Sequence, residues 1–375
     1  MVTSMTTSRL QAAKEVPTPF ILIKENVLRQ NIFQINSYAK KHGYFVRPHI
    51  KTHKSSTIAS MQMEDDVVIG FAASKVGEVE ALSETVMGDI LMAYPTLGVQ
   101  RLEYLVRLSY KSNIIVAIDT EYALKMLARV AKSYDAIIGV LVIFDAGLHR
   151  CGISDPKRIL ELVRFAANHP NLRFDGIQMY LGHLYGNDAL SHESFTQINN
   201  IWEPVYDILI KNELRPTIVS SGSTPSLYNT HLISHVTEIR VGTAYLNDYF
   251  VLKFNHCKLE SCAAMVVSRV ISDIVDGQVI IDAGSKALSA KQLLRNENLE
   301  MGYVLEYPEA RIFRLHEEHG WVDVSRCPKA PSIGECISIV PVNVALCMNL
   351  FDTFYLYTEE GNLQKEKIEA RGCVN

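Results

Sequence analysis

Short, unbroken apolar runs recur along the first two-thirds of the chain, and stretches of helical periodicity separate them. The runs occupy 20–23, 44–46, 67–71, 89–93, 114–118, 139–144, 174–180 and 217–220; helical patterns cover 26–42 and 74–84, among others. A strand written as a continuous apolar run is buried on both faces, which is the signature of a parallel sheet covered by helices. Roughly eight such units over some 240 residues predict a (β/α)8 barrel rather than an open doubly wound sheet. Beyond Leu252 the texture changes. Strand-like segments at 263–269, 278–282, 302–306, 310–315 and 335–340, broken by turn residues such as Pro328 and Pro331, predict a β-rich domain. The expected organisation is a flexible lead-in over 1–17, a barrel over 18–252 and a C-terminal β domain over 253–375. The N-terminal strand is a possible forerunner of that domain's first strands.

Composition narrows the function classes. A chain of 375 residues exceeds one ordinary core, which agrees with two domains. The formal net charge of -4, without a basic stripe, argues against nucleic acid or an anionic membrane surface as partner. No apolar run reaches the roughly 18 residues that span a bilayer. Residues 1–15 are polar and lack the apolar segment of a secretory signal. Seven cysteines (Cys151, Cys257, Cys262, Cys327, Cys336, Cys347, Cys373), scattered without a CxxC, read as reduced thiols of a cytoplasmic protein.

In a barrel, functional groups sit where strands end and βα loops begin. The first such loop is Arg47-Pro48-His49-Ile50-Lys51-Thr52-His53-Lys54. A lysine there, partly desolvated, is placed to form a Schiff base; taken alone, the octet reads more readily as a solvated basic loop, and the company it keeps further along the chain overturns that. The second loop, Asp145 to Gly152, offers Arg150 as a fixed cation, or as an ordinary turn residue. Tyr180 follows the next run and either bonds a ring nitrogen, stacks, or packs in the core. Ser221, Gly222, Ser223 and Thr224 then form a set of small hydroxyls and backbone N–H groups that suits a phosphate or a plain helix cap. Gly242 and Thr243, two residues before Tyr245, can close that cup.

Together these pieces suggest pyridoxal 5'-phosphate, and here the chain resembles a family. The matching motifs are Thr18-Pro19, the lysine octet, Gly147-x-His149-Arg150-Cys151-Gly152 and Gly176-Ile177-Gln178-x-Tyr180. Ser221 to Pro225, Arg240-x-Gly242-Thr243-x-Tyr245, Asp282 to Ala287 and Glu317-Glu318-His319-Gly320 match as well. They are similar to the fold-type III pyridoxal-phosphate enzymes of the D-threonine aldolase and D-serine dehydratase family, over about 17–356. The resemblance implies an alanine racemase-type barrel with a β-rich domain. It places the Schiff base on Lys51, Arg150 at the cofactor's phenolic side and Tyr180 at its pyridine nitrogen. It assigns the phosphate to Ser221, Gly222, Ser223, Thr224, Gly242, Thr243 and Tyr245. It also implies a homodimer with active sites near the subunit interface, and a small amino acid as substrate.

One part of the family pattern is missing. The family's lyases carry a metal pair as Pro-x-His-x-Cys or Pro-x-His-x-Asp shortly before Asn-Leu. Here Pro341 and Asn349-Leu350 frame Asn343 and Ala345 instead. Alanine binds no metal and asparagine is a weak ligand. Read as a strand, the segment leaves Cys347 on the Ala345 side, as a base, a stray ligand or a buried small residue. The expectation is an absent metal site, with His53, His183 or His319 as replacement acid or base. Three readings follow: a metal-free lyase on a D- or β-hydroxy amino acid, a metal-free racemase or epimerase, and a cofactor binder without turnover. The β-rich domain argues against the last.

Overall fold

The computed structural model describes residues 16–83, 88–295 and 298–375. Two compact units divide it. The first to consider comprises residues 34–51, 58–242 and 373–375. Its eight parallel strands are β2 (Phe45–Val46), β3 (Gly70–Ala73), β4 (Asp89–Met92), β5 (Ile114–Ile118), β6 (Ile138–Phe144), β7 (Leu172–Met179), β8 (Ile218–Ser221) and β9 (Glu238–Ile239). They run in the order β2-β9-β8-β7-β6-β5-β4-β3, and bridges Val46↔Val68 and His49↔Ala72 join the two edges. The barrel is thereby nearly closed, so that among the described residues its sheet offers little free edge.

Burial explains why these runs read as continuous apolar stretches. Every residue of β5 and β6 is buried, with alternate side chains facing opposite sides. Ala72, Leu91, Ile115, Ala117, Leu141 and Ile143 make one cluster. Helices such as Glu121–Ser133, capped by the Thr120 hydroxyl, and Pro156–Asn168, capped by Asp155, turn apolar stripes toward the outer strand faces.

The second unit is built from residues up to 33, from 52–57 and from 243–372. Its sheet holds β1 (Phe20–Lys24), β10 (Ala264–Ser272), β11 (Gln278–Ile281), β14 (Tyr303–Val304), β15 (Arg311–Leu315), β16 (Gly320–Asp323), β17 (Cys336–Val340), β18 (Thr353–Tyr357) and β19 (Leu363–Lys367). Within this unit hydrogen bonds tie down the segment 52–57. Lys54 Nζ donates to Asn349 Oδ1 at 2.8 Å, the Ser56 N–H to Glu369 Oε2 at 3.0 Å, Thr57 Oγ1 to Glu366 Oε2 at 2.7 Å, and the Ala370 N–H to the Lys54 carbonyl at 3.1 Å.

Three expectations need correction. The run at 20–23, counted above among the barrel strands, pairs with β10 and β18 in the second sheet. All five β1 residues are buried, so a strand in the middle of either sheet would show the same pattern. The eighth barrel strand is β9, whose two residues are too few to register as a run. Finally, 341–350 is no strand: Val344–Met348 is a short helix, and Asn343 Oδ1 caps it by accepting the Leu346 N–H at 2.9 Å. The expected lead-in lies mostly outside the described residues; Val16 already packs against the cluster of Phe20, Leu22, Met265, Val267 and Cys336. Among the described residues no helix is long and apolar enough to cross a membrane.

Candidate active site

Lys51 follows β2 in a turn just past His49, which bridges to Ala72 of β3. Solvent reaches the side chain, yet protein surrounds it closely enough that desolvation pulls the amine below the ordinary lysine range. The cations Arg150 and Arg240 push the same way, and the carboxylate of Glu78 opposes them. A lysine with depressed proton affinity on an open surface is equipped to attack a carbonyl carbon.

Glu78 is itself buried. Its Oε2 accepts the Ser74 N–H at 2.8 Å and the Lys75 N–H at 3.3 Å, closing the first turn of the helix Val76–Leu82. Ser74 Oγ lies 3.3 Å from His49 Nε2. The loop after β3 is thus pinned to the loop that carries Lys51.

Arg150 and Tyr180, at the ends of β6 and β7, meet directly: the guanidinium carbon stands 4.9 Å from the centre of the phenol ring. Arg240 follows β9 and is buried. It donates to Ser220 Oγ at 2.6 Å and to the Met179 carbonyl at 2.9 Å, which ties the ends of β7, β8 and β9 together. Burial pushes its pKa down to about 10, against the opposing pull of Glu238 and Tyr180, so it stays charged at neutral pH.

The loop after β8 has the features of an anion cradle. Gly222 adopts φ +127°, and a Cβ there would press to 3.0 Å from the Arg240 carbonyl oxygen, so only glycine keeps this backbone in place. The Ser221 hydroxyl is fully buried and has no hydrogen-bond partner among the described residues. Ser223 is less free, since its Oγ lies 2.8 Å from Ser226 Oγ. The helix expected after this loop is a 3-10 helix, Leu227–Leu232. Gly222→Ala is expected to weaken binding of a phosphate-bearing ligand by about tenfold or more while costing about 1 kcal/mol or more of stability from the left-handed backbone. Fluorescence titration and thermal melting check the two effects separately.

His183 lies beyond β7 and packs against the β6 loop: a Cβ on Gly147 would come within 3.2 Å of its Nε2. Burial lowers its proton affinity, with Asp145 and Asp188 pulling upward and His149 downward.

Lys51, Arg150, Tyr180, His183, Ser221 to Thr224 and Gly242 all belong to the barrel unit; His53, Thr243, Tyr245 and His319 belong to the other. His53 is buried and its Nδ1 accepts the Ser55 N–H at 3.2 Å. Thr243 and Tyr245 delimit one 3-10 turn, Tyr245 buried, and His319 occupies the exposed turn between β15 and β16. Sequence reasoning missed Glu78 and gave Arg240 no role.

A nearly closed parallel barrel with a depressed-pKa lysine after its first strand and a small-residue cradle after its late strands is the arrangement of alanine racemase-type barrels. The chain belongs to the family described as alanine racemase, N-terminal domain, whose model matches residues 23–249. A second model, described as a serine dehydratase domain, matches residues 263–357. The chain is 26% identical to the 3-hydroxy-D-aspartate aldolase of Paracoccus denitrificans (strain Pd 1222), covering 96% of this chain and 93% of that protein. It is 24% identical to the D-serine dehydratase of Dictyostelium discoideum, over 92% and 94% respectively. The solved D-threonine aldolase from Filomicrobium marinum superposes with a TM-score of 0.87 at 24% identity, over 96% and 97% of the two chains.

Proposed function

We propose that this protein binds pyridoxal 5'-phosphate at the C-terminal end of the barrel and acts as a lyase on a small D-configured or β-hydroxy amino acid, without a divalent metal. The observation that carries the reading is the Lys51 amine, lowered in pKa beside Arg150 and Arg240, on the same barrel end as the Ser221–Gly222 cradle. Relatives named as an aldolase and a dehydratase favour a lyase over the racemase reading. The residues fit the cofactor: the buried Ser221 hydroxyl and the glycine cradle suit its phosphate, and the lysine suits its aldehyde. When bound, it supplies an electrophilic carbon for Lys51 and a conjugated ring that draws electrons from Cα.

The chain's residues do the rest. Lys51 Nζ takes and returns the proton at Cα, and burial with the two nearby guanidinium groups lowers its proton affinity for that exchange. Arg150, exposed to solvent and seated over the Tyr180 ring, holds a developing negative charge. Glu78 keeps the loop after β3 against the Lys51 loop.

The metal of the family's lyases does not fit here. Asn343 Oδ1 is engaged as a helix cap. Cys347 is buried, its thiol pushed far up by burial, and donates to the Leu288 carbonyl at 3.2 Å. Turnover is expected to persist within about twofold after exhaustive chelation; loss of activity that added Mn²⁺ or Zn²⁺ restores would refute metal independence. Borohydride reduction of the cofactor-loaded protein tests the site itself. A pyridoxyl label on the Lys51 peptide supports it, and a label elsewhere removes it.

A further inference from the structure

The loop after β6 carries a histidine that none of these roles uses. His149 Nδ1 lies 2.8 Å from Asp145 Oδ2, and its backbone N–H donates to Asp145 Oδ1 at 3.0 Å. The imidazole is 82% exposed, whereas Asp145 is 12% exposed. The Gly147 N–H donates to the same carboxylate at 3.1 Å. Burial alone would raise the Asp145 pKa, but these hydrogen bonds outweigh it and hold the group ionised below the ordinary range.

His149 also adopts φ +56°, a left-handed backbone that glycine or asparagine would hold with less strain. The chain nevertheless places an imidazole there, one residue before Arg150 and its contact with Tyr180. An ionised carboxylate at Nδ1 favours the tautomer with the proton on Nδ1, which makes Nε2 the ring's acceptor, the way a general base is oriented by a third group. His183 has no such orienting group: its Nδ1 is buried without a hydrogen-bond partner among the described residues.

On the lyase reading above, we propose that His149, held by Asp145, exchanges the proton of the substrate's β-hydroxyl, the step a metal assists in the family's lyases. In cleavage, Nε2 takes the hydroxyl proton. The O–H pair becomes the second bond of the departing aldehyde's carbonyl as the Cα–Cβ bond breaks. The Cα–Cβ pair is drawn toward the cofactor and returns to Cα with a proton from Lys51. In dehydration the same imidazolium gives its proton to the departing hydroxide. The charged or titratable groups that act on or beside the ring are Asp145 from its own loop and His183 from the loop after β7; Arg150 is its neighbour in the chain, and Asp188 acts on His183.

The test uses cofactor-loaded, chelator-treated protein with D-threonine and D-serine. His149→Gly suits the local backbone, so folding and cofactor absorbance are expected to hold. The turnover number is expected to fall by about 10² to 10⁴, with KM nearly unchanged. Added imidazole should restore part of the rate. Asp145→Asn is expected to give a smaller loss that imidazole does not rescue. Unchanged kcat in His149→Gly overturns the dyad and leaves the lyase reading standing. Loss of activity together with cofactor absorbance, unrescued by imidazole, shows a structural role and also overturns it. A wild-type protein that binds cofactor but converts neither substrate overturns the reading beneath it.

Discussion

On the proposed function, replacing Lys51 by alanine is expected to lower turnover by at least about 10³-fold, because the change would remove the carbonyl-binding amine and the proton carrier together. Stability should be nearly unaffected. The Lys51 side chain is exposed and its environment disfavours its charge, so its loss relieves two cationic neighbours, Arg150 and Arg240. The expected signature is a protein with wild-type melting behaviour that still retains cofactor weakly through the Ser221–Gly222 cradle but shows no lysine-linked absorbance. In the cofactor-free wild-type protein the Lys51 amine should react with an amine-directed reagent with a pH midpoint below 10.5, the ordinary lysine value, since desolvation and the two guanidinium groups favour the neutral amine. A Lys51→Ala variant retaining a tenth or more of the activity would move the chemistry to another residue.

The second large effect concerns stability. Arg47, at the start of the Lys51 loop, is fully buried, and its Nε lies 3.1–3.2 Å from both carboxylate oxygens of the equally buried Glu238. Its Nη1 donates to the Asp89 carbonyl at 3.1 Å, so one guanidinium links β4 and β9 to the loop after β2. Glu238→Ala removes the buried counter-charge of Arg47, leaving it Asp89 Oδ2 at 3.8 Å, and is expected to cost about 3–5 kcal/mol. Replacing both partners by apolar residues of similar volume should recover part of the loss, since the buried Arg47 charge is then gone while Arg240 still lacks the pull of Glu238. Urea denaturation of the single and double variants measures this. A single-variant cost below about 1 kcal/mol would mean that the pair is hydrated or dispensable.

Particular elements show how far the sequence could be read. The barrel was legible because strands buried on both faces are written as unbroken apolar runs, as in Ile138–Phe144. The same property concealed the membership of β1, since the pattern records burial and not the partner strand. β9 was invisible as a run, though its sequence had been singled out for the glycine and threonine that follow it. Lys51, Arg150 and Tyr180 could be found because they stand where apolar runs end. Glu78 could not, for an acid in a helical stretch looks like a solvated surface residue until its carboxylate is seen closing the helix's first turn. Asn343 did carry a signal: an asparagine before Val-Ala-Leu-Cys-Met is a helix cap followed by helix-compatible residues. Reading the segment as a strand came from aligning it to a metal pair.

The most direct measurement is a ¹H NMR time course in D₂O on cofactor-loaded, chelator-treated protein, with D-threonine, L-threonine and D-serine supplied separately. A metal-free lyase yields acetaldehyde with glycine from a threonine, or pyruvate from D-serine. Exchange of the α-proton with inversion and no fragmentation would contradict the lyase and establish a racemase at the same lysine.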